Sequence, residues 1–253
     1  MKIAKNRQTI QPAVEIRRKD SRFHTQAGWL DSRHSFSFSH HYDPLNMHHG
    51  LLLVHNDDIV KPNSGFRTHP HRDMEIVTWV LEGELEHKDS EGNSGIIYPG
   101  LAQRMSAGTG IWHSEMNSHG NKDVHFIQMW VPPNQECLAP SYEQLDINVQ
   151  LNQGGLVPIA SGRGHEAAIA IRQKGAVLWG GRLGPGETAL VPDAPYVHVF
   201  VAKGDAELET AGTLQAGDEA RLTAAGGRRL MAGKDKGAEV LIWETDATLE
   251  LSS

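Results

Sequence analysis

Apolar positions along this chain come in short runs. Ile76-Val77-Thr78-Trp79-Val80-Leu81, Val124-His125-Phe126-Ile127-Gln128-Met129-Trp130-Val131 and Val197-His198-Val199-Phe200-Val201 are examples. Glycine and proline punctuation separates such runs, at Glu91-Gly92-Asn93, Tyr98-Pro99-Gly100, Gly184-Pro185-Gly186 and Ala216-Gly217-Asp218. Many short strands with frequent turn signals predict an all-β sandwich or barrel. Helix-period runs are short and interrupted over most of the chain. Val131-Pro132-Pro133-Asn134 closes the first block of strands. Pro140-Ser141-Tyr142-Glu143-Gln144-Leu145 then reads as a short linker helix capped by Ser141. The expected organisation is a first unit over residues 1–136, a linker over 137–148 and a second unit over 149–253.

The two halves read as a diverged repeat. Leu81-Glu82-Gly83 is answered by Ala202-Lys203-Gly204, Pro99-Gly100 by Ala216-Gly217, and Ala107-Gly108 by Ala225-Gly226. On this alignment Leu190 and Pro192 stand for His69 and His71, and Leu230 and Ala232 for His113 and Glu115. The second half is expected to keep the architecture without the ligand side chains.

Charge narrows the functional classes. The 253 residues carry a net charge of −7, which speaks against direct nucleic-acid or anionic-membrane binding. The first residues lack the apolar stretch of a signal peptide, and no apolar run reaches transmembrane length. Cys137 is the single cysteine, so no internal disulfide forms. A cytoplasmic protein is expected. Nothing around Cys137 points to an activated thiolate.

Histidine is unevenly placed: 13 of the 15 lie between His24 and His125. Two motifs stand out among them, His69-Pro70-His71 and His113-Ser114-Glu115. Alternate residues of a strand point to one face, so each motif can aim two ligand groups at one interior. Three imidazoles and a carboxylate suit a divalent transition metal with coordination positions to spare. By parity, Asp73 and Glu75 extend the His69–His71 face, which Val77, Trp79 and Leu81 continue. His40-His41 and His48-His49 read as loop or surface pairs, with a place at a pocket mouth open to one of them. Phe36 and Phe38 alternate with serine and read as core aromatics, with a role in walling a cavity as the alternative. No phosphate-binding loop or nucleophile elbow is present.

The chain resembles the pirin family of the cupin superfamily. Gly28–Phe38, His41-Tyr42-Asp43-Pro44, Gly65–Glu75, Leu81-Glu82-Gly83 and Met105–Glu115 carry the resemblance. It implies an all-β bicupin: two cupin-type β-barrels joined by a short linker, with one metal, usually iron, in the first. The family's ligands fall on His69, His71, His113 and Glu115. Ordinary cupins take their carboxylate from the first motif, where Glu75 stands, so Glu75 is the alternative ligand or a supporting residue.

The resemblance to quercetinases implies a metal-dependent dioxygenase, with a small aromatic substrate and O2 as its partners. It would open the central ring of a flavonol and release carbon monoxide. Glu115 is then both ligand and catalytic base. The donors fit Fe2+ and also admit nickel, copper, manganese, cobalt or zinc. The rival reading is a non-enzymatic metal or redox sensor that binds a protein partner. A closed structural site ranks last, because such sites are usually rich in cysteine.

Overall fold

The computed structural model describes residues 2–4, 10–118, 121–166 and 169–250. These form strands almost throughout, with one short α-helix at Asn148–Leu151. The first half pairs a seven-stranded sheet with a four-stranded one. The larger runs in spatial order Ser141–Asp146, Leu101–Ser106, Glu75–Glu82, Val124–Val131, Val54–Val60, Leu30–His34, Phe23–Ala27. The smaller runs Ser64–His71, Ile111–Asn117, Leu85–Asp89, Ser94–Ile97. Val60, Val80, Leu101 and Phe126 of the larger sheet pack on Leu85 and Ile97 of the smaller, so the two face each other. Among the described residues neither sheet closes on itself; each half is a cupin-type open sandwich rather than a sealed barrel.

The second half repeats this plan strand for strand. Ala176–Leu183, Thr188–Leu190, Tyr196–Leu208, Gly212–Gln215, Glu219–Thr223, Arg229–Ala232 and Ala238–Thr245 make the pairings their counterparts make in the first half. Tyr196–Leu208 does the work of two first-half strands, and its register shifts between Val201 and Lys203. Gly83 and Gly204 sit at matching bends with φ of 80° and 70°. A Cβ at either would strike the facing strand's backbone, at Asp123 and Gly237 respectively, so glycine is required at both. Pairing refines the proposed alignment: Leu230 lies opposite Ala189, as His113 lies opposite His69. Ala189 therefore takes the His69 position, and Leu190 is exposed. The second interior is filled by Val191, Val199, Leu208, Leu214 and Leu230.

Two expectations are corrected. The segment read as a linker helix contains the strand Ser141–Asp146, paired along its length with Leu101–Ser106 of the first sheet. Its Glu, Gln and Leu suit a helix, but an unpaired sheet edge outweighs that preference. Glu75 does not share the histidine face either. His69 and His71 end one strand in the small sheet, while Glu75 begins another in the large sheet. Between them Asp73 adopts a φ of 46°, which breaks the alternation.

The halves are joined by a continuous core and an exchanged strand. Val77, Trp79 and Leu81 pack with Ile127 and Met129 on Leu178, Phe200, Leu241 and Trp243. The Trp79 indole N–H donates to Glu239 at 3.0 Å. Ala13–Arg17 pairs with Glu219–Thr223 of the second half before the chain returns to build the first.

Candidate metal centre and cavity

Alternation on Glu75–Glu82 sends Val77, Trp79 and Leu81 to the second half and Ile76, Thr78 and Val80 to the interior of the first. Thr78 is therefore a polar residue placed inside. It belongs to a row. His34, Asn56, Gln128, Thr78 and Gln103 are register partners across five successive strands, and all are buried. Buried polar groups require partners. Glu115, on the facing sheet, is the partner of two of them: Thr78 Oγ1 donates to its Oε1 at 3.2 Å, and Gln128 Nε2 donates to its Oε2. A register shift between His113 and Glu115 marks a bulge that aims this strand's side chains.

The three predicted histidines converge. His69 lies directly across from His113. Ring centroids are 4.5 Å apart for His69–His113, 4.8 Å for His69–His71 and 4.9 Å for His71–His113. One ligand atom from each lies within 4.8 Å of the others. His69 Nδ1–H donates to the Arg67 carbonyl at 2.7 Å, which leaves the Nε2 lone pair free. His71 Nε2 and both ring nitrogens of His113 are buried without a hydrogen-bond partner among the described residues. Burial, together with the neighbouring imidazoles, lowers the His71 pKa to about 4 and the His113 pKa to about 3. Both rings are thus neutral near pH 7, the form that binds a metal. Unpartnered buried nitrogens converging beside a carboxylate fit a metal ion.

Glu115 joins His113 and a residue that motif reading missed, His87, in a second overlapping cluster. His87 lies opposite Glu115 on the neighbouring strand, fully buried, and its Nε2 is 3.2 Å from Asp89. Its sequence signal is weak: His87-Lys88-Asp89 has strand parity but resembles an exposed pair. Glu75 lies elsewhere, at the contact between the halves. Its Oε2 accepts from Ser106 at 2.8 Å and from the Arg172 backbone N–H at 3.0 Å.

A cavity of about 640 Å³ opens onto His69, His71 and Glu115. Trp29, Leu30, Phe38, Phe66 and Trp130 make its apolar walls. Trp130 meets the edge of Phe38 at 5.6 Å and of His71 at 4.8 Å. The alternation of Phe36 and Phe38 therefore splits: Phe36 is core and Phe38 is wall. His40 lines the opening, while His48 and His49 bond to backbone carbonyls away from it. Ser32, Asn56 and Asp58 add a polar patch. Burial pushes the Asp58 pKa up to about 8 against the bond from Ser32, with Asp57 and Glu115 adding to the rise. Cys137 is exposed, bonded to Arg72, and does not line the cavity.

Two β-sandwiches of cupin type, with such a histidine–carboxylate cluster found only in the first among the described residues, define a metal-binding bicupin. The Pirin family model matches residues 16–131. A Mycobacterium tuberculosis (strain ATCC 25618 / H37Rv) protein, "Putative quercetin 2,3-dioxygenase Rv0181c", is 57% identical over 93% of this chain and 96% of its own length. The quercetin 2,3-dioxygenase of Escherichia coli (strain K12) is 48% identical over 52% of this chain and 57% of its own. The crystal structure of the bacterial pirin YhhW from Escherichia coli in complex with nickel(II) superposes with a TM-score of 0.84. It is 33% identical, covering 94% of this chain and 100% of that one. This chain belongs to the pirin family. Among the described residues no helix is long and apolar enough to cross a membrane.

Proposed function

We propose that the protein is a metal-dependent dioxygenase acting on a flavonol-type aromatic, with O2 as co-substrate and carbon monoxide as the one-carbon product. The observation that carries this reading is the apolar, aromatic-walled cavity opening onto the histidine–glutamate cluster. Pockets of this size, with a few convergent polar groups, take small organic ligands. His69, His71, His113 and Glu115 would hold the metal, proposed as Fe2+, with nickel, copper, manganese, cobalt or zinc admitted by the same donors. When bound, it supplies a Lewis acid that lowers the pKa of an enol oxygen and brings the substrate into reaction with O2.

The chain's own residues do the rest. Glu115 is the proposed base: Thr78 and Gln128 each occupy one lone pair of its carboxylate, and the remaining ones can take the substrate's hydroxyl proton. Trp130, Phe38 and Phe66 hold a planar ring system and exclude water. A regulatory sensor needs the same ligands but has no use for this hollow, so the cavity supports the enzyme.

The test is incubation of metal-loaded protein with quercetin, with and without oxygen. Oxygen-dependent loss of quercetin and formation of carbon monoxide, both absent in His69→Ala, are expected. Equal loss in that variant would reject the reading.

A further inference from the structure

The cavity has a second polar end that the proposed chemistry does not use. Ser32 and Asp58 are direct register partners, as are His34 and Asn56 beside them. Asn56 is in turn the partner of Gln128, the residue bonded to Glu115. Adjacent strands are about 4.8 Å apart and two residues rise about 6.7 Å, so Asp58 stands roughly 8 Å from Gln128 along the cavity wall. Asp58 is 2% exposed, and its one hydrogen-bond partner among the described residues is the Ser32 hydroxyl, on Oδ1. Its second oxygen is not among the buried polar atoms lacking a partner. Asp58 lines the cavity, and that oxygen makes no hydrogen bond among the described residues. Beside it, His34 is tied to Asn56 at 2.8 Å and to Thr25 at 3.0 Å.

A carboxyl group with one oxygen satisfied and the other turned into an apolar hollow leaves a hydrogen bond to be made. We propose that Asp58 determines specificity by taking a hydroxyl group of the bound aromatic ligand, at the end of the cavity away from the oxygen directed at the histidines. A phenol and a carboxyl each donate and accept, so the pair forms in either direction. A ligand lacking that hydroxyl leaves Asp58 unpaired, and a site built on a buried polar group rejects such analogues more strongly than its apolar walls could. The proposal rests on an aromatic ligand occupying this cavity, as the functional reading requires.

The experiment is anaerobic equilibrium dialysis of the metal-loaded protein against two flavonols. One is quercetin; the other is 3-hydroxyflavone, which keeps the 3-hydroxyl and lacks those on the outer rings. The wild type is expected to favour quercetin, and Asp58→Leu to shrink that preference about tenfold or more, with binding of 3-hydroxyflavone little changed. Asp58→Asn retains part of the preference. Asp58→Ala adds no bulk and decides the matter if Asp58→Leu fails to fold. An unchanged preference in a folded variant overturns the proposal. So does a wild type that binds both flavonols equally or binds neither. Binding is read without turnover, so aerobic inactivity toward quercetin would reject the dioxygenase reading while leaving this measurement to stand or fall alone.

Discussion

The indole N–H of Trp130 donates to Oε1 of Gln128 at 3.1 Å. With that oxygen engaged, the amide must turn Nε2 toward Glu115, whose Oε2 accepts from it. Trp130 also presents its ring to His71. One aromatic residue thus sets the orientation of the amide under the carboxylate and walls one of the imidazoles. Supports of this kind orient ligands and tune their basicity.

Gln128→Leu removes the donor and leaves both the Trp130 N–H and a Glu115 oxygen unpartnered. Metal affinity should fall about 10- to 100-fold while the fold persists. Competition with a chromogenic chelator measures the first, and circular dichroism checks the second.

Glu115→Gln and Glu75→Gln should have opposite signatures. The first should strip metal from the protein with a minor effect on unfolding. The second should keep full metal content and lower stability by about 1–3 kcal/mol, because Glu75 joins Ser106 to the Arg172 backbone across the halves. Elemental analysis and urea unfolding of both variants separate the roles.

Protonation of His71 and His113 should leave the metal in place between about pH 5 and 8 and release it toward pH 4. His71, lowered to about 4, and His113, lowered to about 3, take up protons only there. The sign follows from competition: protons displace the metal only where the folded imidazoles can bind them. Metal content after dialysis at stepped pH, against a fixed amount of chelator, checks it.

Asp58→Asn should stabilise the protein increasingly from pH 4 to pH 8. The folded carboxyl, raised to about 8, keeps its proton where the unfolded one, at 3.8, has lost it. Wild-type stability therefore declines through this window, and the variant escapes that decline. Melting temperatures of both proteins at pH 4.5, 6 and 8 give the comparison.

Trp79→Ala should destabilise by about 3–5 kcal/mol and leave a single unfolding transition. Trp79 is 1% exposed and packs in the core shared by both halves. Two separate calorimetric transitions in the wild type would contradict this shared core.

The cluster was legible where strand alternation alone decides geometry. A spacing of two put His69 with His71, and pairing of the two strands brought them to His113, while Glu115 falls in the overlapping cluster with His113 and His87. What pairing creates without a sequence neighbour was hidden. His87 meets Glu115 only because their strands are adjacent. The row from His34 to Gln103 is scattered over residues 34–128 as single polar residues within strands. Glu75 was misplaced because the positive φ at Asp73 breaks the count of faces. Ser141–Asp146 was misread because the open edge it fills lies in tertiary structure, outside any local window.

The exchanged strand has a consequence for the order of assembly. Ala13–Arg17 lies flush against Glu219–Thr223, about two hundred residues downstream. At roughly 5–20 residues per second, a ribosome takes some ten to forty seconds to deliver that partner. During this interval the nascent chain carries a strand with no place to go, and closing so long a loop is entropically costly. The sheets of the first half use only residues 23–146 and can form in the meantime, so Ala13–Arg17 docks after the half it precedes has been built.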